Sequence, residues 1–264
     1  MKKKNSYLRF GMILIIIPIV FCLISPVICK FDSSYVDSAV RLTAPNSIHL
    51  MGTDDLGRDI MARMAEGTRN SLEIGICVAI ITSILGLILG YLVSFYKIVD
   101  GIIMRLLDGI MAFPSMIIAI TLAGVLGTGK RNIMIALSIS FFPIMTRIVR
   151  SAVLPLLEEE YVQSARIIGL SNFTVFIKHI MPNIIGPVLV QATYTFALAV
   201  LNESVLSFVG VGIKAPMASL GGMVNDAKNY MIVAPWIIMF PGVMISWLVL
   251  AFNMLGDGIK DSLS

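Results

Sequence analysis

The stretch "IGICVAIITSILGLILGYLVSFY", Ile74 to Tyr96, carries no charged residue from end to end. A bilayer core of about 30 Å requires roughly 20 consecutive apolar residues in a helix, and this run meets that length with a margin. Working outward, five further stretches of the same kind appear: Phe10 to Cys29, Ile110 to Leu126, Ile133 to Ile148, Ile184 to Phe208 and Ile232 to Leu255. The whole chain of 264 residues is 57% hydrophobic and only 14% charged, far from the composition of a soluble domain. Backbone groups in lipid must be satisfied within their own segment, and none of these runs alternates as a barrel strand would. The fold class is therefore an all-α polytopic membrane protein with six transmembrane helices.

The first span follows Met1-Lys2-Lys3-Lys4. Its apolar run is too long for a secretory signal, and no small-x-small cleavage site follows it, so it reads as a retained helix. Cys22, Cys29 and Cys77 sit in or beside apolar helices, as packing residues rather than as a disulfide framework or metal site. Lys2, Lys3, Lys4 and Arg9 predict a cytoplasmic N-terminus, and six spans return the C-terminus to the same side. Under this topology 11 of the 20 basic residues fall inside, so orientation rests mainly on the first four. A net charge of +4 spread in this way is membrane-flanking charge, not a nucleic-acid surface.

Two connections are long. The outer one, Lys30 to Glu73, is turn-rich up to Gly52; a short amphipathic helix is then expected, capped by Thr53 or Asp54 and carrying an Asp59–Arg63 pair at i,i+4. His49 stands alone there, without a nucleophile or a metal cluster, so the segment reads as structural or partner-contacting. The inner one, Arg150 to Asn183, contains "EYVQSARIIGLSNFTVFIKHIMPN", Glu160 to Asn183. Apolar or small residues recur at Leu157, Tyr161, Ala165 and Ile168, and again at Phe173, Phe176, Ile177 and Ile180, the spacing of two helical faces. Gly169 between them permits a sharp turn, and Pro182 closes the unit. A lipid-lying hairpin is the alternative, but Glu158, Glu159 and Glu160 favour a protein partner over an anionic leaflet.

At these residues the chain resembles a known family. "QSARIIG" followed after nine residues by "HIMP" looks like the EAA loop of ATP-binding-cassette importer permeases, with Gln163, Ser164, Ala165, Gly169 and Pro182 in the motif positions. Gln163 and Ser164 depart from the pattern's Glu-Ala, and His179 and Met181 depart near its end. "GTDDLGRD", "AFPS", "EYVQSAR" and "LSFVGVG" follow in an order similar to the dipeptide, oligopeptide and nickel permease family, from His49 onward.

The resemblance implies a type I importer permease fold. Residues 1–73 would form an N-terminal helix with an extracellular segment, and residues 74–264 a five-helix core that includes the cytoplasmic EAA loop 150–183. It further implies a bacterial inner-membrane subunit that pairs with a homologous permease, docks two cytoplasmic ATPases and receives cargo from an extracellular binding protein. Glu160, Tyr161, Gln163 and Ser164, with Ala165, Arg166, Gly169, Leu170 and Pro182, would couple to the ATPase. In that role Tyr161, Ala165 and Ile168 supply docking area and Gln163 and Arg166 a polar rim. No cofactor or metal belongs to this chain, since ATP and magnesium would be bound by the ATPases, and no catalytic residue is expected. The implied cargo is short peptides or nickel and metal chelates; the 17 methionines are scattered through apolar helices as packing residues and do not decide it.

"GVLGTGK", Gly124 to Lys130, matches the start of a phosphate-binding loop, but Arg131 replaces the magnesium-binding Ser or Thr and no strand precedes it. The stretch therefore reads as a turn between spans three and four. Within the membrane Glu203 stands out as a costly group beside Asn202, either a pathway or gate residue or a polar packing contact. Asp108 has Arg105 at i−3 as an expected partner, and Gly86 and Gly90 form a G-x-x-x-G pair for close helix approach. An ion-coupled secondary transporter would show a charged midplane relay and inverted repeats, and a membrane enzyme would show a catalytic constellation. Neither appears.

Overall fold

The computed structural model describes residues 6–29 and 31–263. Lys2, Lys3 and Lys4, which carry most of the orientation argument, lie outside the described residues. The described residues form ten α-helices: α1 (Ser6–Ile28), α2 (Ile60–Phe95), α3 (Lys97–Met111), α4 (Ser115–Leu126), α5 (Lys130–Leu156), α6 (Glu160–Ile167), α7 (Asn172–Val175), α8 (Met181–Phe208), α9 (Leu220–Ala227) and α10 (Trp236–Leu263). A π turn over Phe176–Ile180 joins α7 to α8, giving one rod from Asn172 to Phe208. Five rods are long and apolar enough to cross a bilayer, or six where the bent pair α3–α4 counts as one span.

The second and third spans differ from expectation. No separate amphipathic helix precedes span two; α2 runs unbroken for 36 residues, because nothing between Ile60 and Ile74 interrupts helical geometry. Its cap is Asp59, whose Oδ1 accepts the Ala62 N–H at 2.9 Å, rather than Thr53 or Asp54. At 1.5 Å per residue the rod is about 54 Å long, so one end projects well beyond the hydrocarbon. The third span, expected from Ile110 to Leu126 with Pro114 as a place for a kink or broken turn, is broken at residues 112–114, where α3 and α4 meet at 88°. Pro114 lacks the N–H that a continuing helix would use and disfavours helical geometry at Phe113.

The tightest helix pair is α2 with α5. A Cβ added at Gly86 or Gly90 would run into the side chains of Met145 and Val149, so both glycines are needed for this approach. Helix α1 packs along α10, where Trp247 Nε1 donates to the Leu14 carbonyl at 2.9 Å and a Cβ on Gly11 would come within 2.8 Å of the Leu255 backbone. The rest of α1 turns Leu23 and Val27 outward, as a peripheral span in lipid does.

The helix ends gather on two faces. On one, residues 31–59 meet α9 through Arg58 and Asp226, and the α4–α5 turn touches the turn after α8, where the Gly129 N–H bonds the Gly212 carbonyl. On the other lie the end of α2, helix α3, the end of α5 and the α6–α7 hairpin.

Candidate functional site

The α6–α7 hairpin is built locally. Glu159 caps α6 by backbone geometry, Glu160 occupies its first turn and Arg166 its last, each on the side the helix dipole favours. Gly169 then adopts φ +92. Its N–H bonds the Arg166 carbonyl at 3.0 Å while the Leu170 N–H bonds the Ala165 carbonyl at 3.2 Å, the double closure that ends helices on a left-handed residue. Ser171 starts the next helix, its Oγ accepting the Thr174 N–H.

The hairpin is held rigidly against the rods. Val162, Ala165, Val175, Phe176 and Ile180 are buried in one cluster with Met145, Val149 and Val153 of α5 and Ile184 and Val188 of α8. At the end of α2, Tyr91 and Phe95 pack on Phe176, with centroids 5.1 and 6.2 Å away, and the Arg166 guanidinium lies 5.1 Å over the Phe95 ring. Neither aromatic stood out in the sequence as belonging to the hairpin, because both read as part of an apolar span.

The outward face of the hairpin differs from the expected stripe. Ala165 faces inward, so it offers no docking area. Ile167 and Ile168 project into the open, 85% and 80% exposed, with Tyr161 and Leu170 beside them. Periodicity cannot choose between two overlapping faces, and burial of Val162 selects the inward one. The second stripe splits likewise: Phe176 and Ile180 turn in, while Phe173 and Ile177 turn out.

The remaining motif residues are also placed. Gln163 and Ser164 are exposed, Gln163 donating to the Glu158 carbonyl at 3.1 Å. Pro182 sits in the first turn of α8, one residue before Asn183, whose amide donates to the Tyr161 hydroxyl at 3.2 Å.

Toward the opposite face lies a polar lattice. Glu203 on α8 is fully buried; Ser71 of α2 donates to one carboxylate oxygen at 2.9 Å and Ser207 to the other at 2.8 Å. Ser207 Oγ in turn accepts the Ile213 N–H at 3.2 Å, tying in the turn after α8. Asn202 is half-buried and its side chain makes no hydrogen bond among the described residues, so it does not join this group. Beside it, Lys130 donates to Asn70 at 3.0 Å and pairs with Glu73, which bolts the start of α5 to α2. The lysine of the phosphate-loop look-alike thus has structural partners, and Gly127 and Gly129, both at positive φ, form the turn before it.

The outer segment is a knot of charge. Arg58 pairs with Asp54 at 2.6 Å and Arg63 with Asp54 at 3.4 Å, and both reach Asp226 in the last turn of α9 at 3.5 and 3.9 Å. The expected Asp59–Arg63 pair is replaced: Asp59 bonds His49 Nδ1 at 2.9 Å, so His49 is not solitary. Burial, reinforced by Asp54 and Asp226, pushes the Asp55 carboxyl above its ordinary range. Asp108, likewise, pairs with Arg147 of α5 and not with Arg105.

Comparison with known proteins agrees with this architecture. Residues 82–264 match the family described as binding-protein-dependent transport system inner membrane component. The chain is 38% identical to the dipeptide transport system permease protein of Alkalihalophilus pseudofirmus, covering 99% of this chain and 86% of that protein. It is 36% identical to the oligopeptide transport system permease protein of Bacillus subtilis, again over 99% and 86%. A chain of the inward-facing methionine ABC transporter MetNI superposes with TM-score 0.61 over 78% of this chain and 98% of its own length, at 18% identity, a likeness of fold.

Proposed function

The chain belongs to the family of binding-protein-dependent transport system inner membrane components and is a multi-pass permease subunit of an ATP-binding-cassette importer, and from that premise we propose that it carries short peptides and is driven through the α6–α7 hairpin. A permease of this kind works with an ATPase and a binding protein. The heterodimer with a homologous permease and the pair of ATPases are part of the proposal.

The observation that carries the coupling reading is the contrast within the hairpin. Its inner residues are locked to α2, α5 and α8, while Ile167 and Ile168 are left bare at its tip. An apolar tip on a rigid base transmits a push without absorbing it, since packed interiors deform little. Peptide cargo is supported by the dipeptide and oligopeptide permeases to which the chain is similar over nearly its full length. In proteoliposomes holding the assembled complex and its binding protein, di- and oligopeptides are expected to stimulate ATP hydrolysis. Stimulation by a nickel chelate and not by peptides would overturn the peptide assignment.

Orientation completes the reading: the hairpin and both termini face the cytoplasm. A cysteine introduced at Ser171, in a background with the native cysteines replaced, is expected to react with a membrane-impermeant maleimide only in inverted vesicles. One at Asp37 should react only in intact cells. The opposite pattern reverses the topology.

A further inference from the structure

The geometry points to α3 as a helix that lies along the membrane surface and binds anionic phospholipid headgroups at the boundary that also carries the coupling hairpin. Its depth follows from α5. Asp100 accepts from Arg150 Nε and Nη2 at 2.7 and 2.8 Å, and Asp108 pairs with Arg147. Arg147 and Arg150 lie 17 and 20 residues after Lys130 along that rod, about 26–30 Å from its start. That distance is one hydrocarbon thickness, so a helix fastened to these arginines sits at the far boundary. Its 88° crossing with α4 makes it run across the rods rather than with them. The hydroxyls of Tyr91 and Tyr96, 3.3 Å apart at its start, suit the same level.

One side of α3 is anchored by Asp100 and the buried Leu107. On the other, Ile98, Ile102 and Leu106 recur every fourth residue, 81%, 65% and 60% exposed, and no described element covers them. Arg105 borders this stripe and Lys97 opens the helix beside Ile98, both exposed and neither with an ion-pair partner among the described residues. An apolar stripe bordered by unpaired cations, held in the interfacial plane, is matched by acyl chains below and anionic headgroups above.

The test uses the assembled complex in nanodiscs, whose two faces are alike, so the result is independent of the orientation proposed above. A bimane fluorophore is placed on Ile102→Cys after Cys22, Cys29 and Cys77 are replaced by alanine, and is quenched by brominated phosphatidylglycerol or brominated phosphatidylcholine. Quenching by phosphatidylglycerol is expected to exceed its share of the lipid, and Lys97→Gln/Arg105→Gln should lower that excess by about fivefold for each cation removed. Quenching in proportion to bulk lipid, with or without the two charges, would reduce α3 to an ordinary lipid contact. Absence of quenching by either lipid would place a protein, such as the second permease, on the stripe. Either result overturns the proposal.

Discussion

Replacing Ile168 with aspartate is expected to abolish peptide uptake while the subunit still inserts and assembles. The side chain makes no contribution to the buried core, being 80% exposed, so the fold loses nothing by its removal. In the proposed coupling contact the same position enters a cleft of the ATPase, where an unpaired carboxylate would have to be desolvated. Truncation at the centre of such an interface commonly costs 2 kcal/mol or more, and a buried unpaired charge adds to that. A drop in uptake of at least about thirtyfold corresponds to 2 kcal/mol if docking limits the cycle. Gly169→Val tests the turn behind it. Apart from its chain neighbours, no atom of the described residues lies within 4 Å of a Cβ built there, so the penalty inside the subunit is the left-handed backbone, φ +92, at roughly 1–2 kcal/mol for a residue with a Cβ. Transport and ATP hydrolysis are measured together. If both variants transport normally, and a cysteine at Ser164 fails to cross-link to an ATPase, the hairpin is a surface element only.

The second large effect is expected at Glu203. Its two carboxylate oxygens accept from Ser71 and Ser207, joining α2, α8 and the turn before Ile213 with no exposure to solvent. Glu203→Ala removes the acceptor of two buried serine hydroxyls, at about 1–3 kcal/mol for each group left unsatisfied. A loss of roughly 3–5 kcal/mol follows for this region, enough to lower the thermal midpoint of the purified complex and its yield. Glu203→Gln keeps the volume and one acceptor, so it should fall between wild type and alanine. A Glu203→Ala complex with unchanged thermal stability but altered transport would instead make the residue part of the pathway.

The helical class, the membrane location and the five long rods were legible in the sequence, because burial in hydrocarbon demands long uncharged runs and tolerates few substitutes. The helix–glycine–helix hairpin was legible too: a glycine between two periodic segments has few other uses, and Gly169 adopts the backbone that only glycine takes cheaply. Close approach at Gly86 and Gly90 could be anticipated as a type of contact, though not its partner, α5. Three matters belonged to the tertiary structure alone. Which face of α6 turns outward depends on a neighbour supplied by α5 and α8, so Ala165 could not be assigned by spacing. Which aspartate serves which arginine was likewise open, because Asp226 and Arg147 come from distant parts of the chain and displace the local pairs expected for Arg63 and Asp108. And although Pro114 marks where the third span breaks, the 88° angle between α3 and α4 and the fastening of α3 to Arg147 and Arg150 of α5 could not be read from it. Local pattern determines what each segment can be; long-range partners, invisible in a linear pattern, decide where it points.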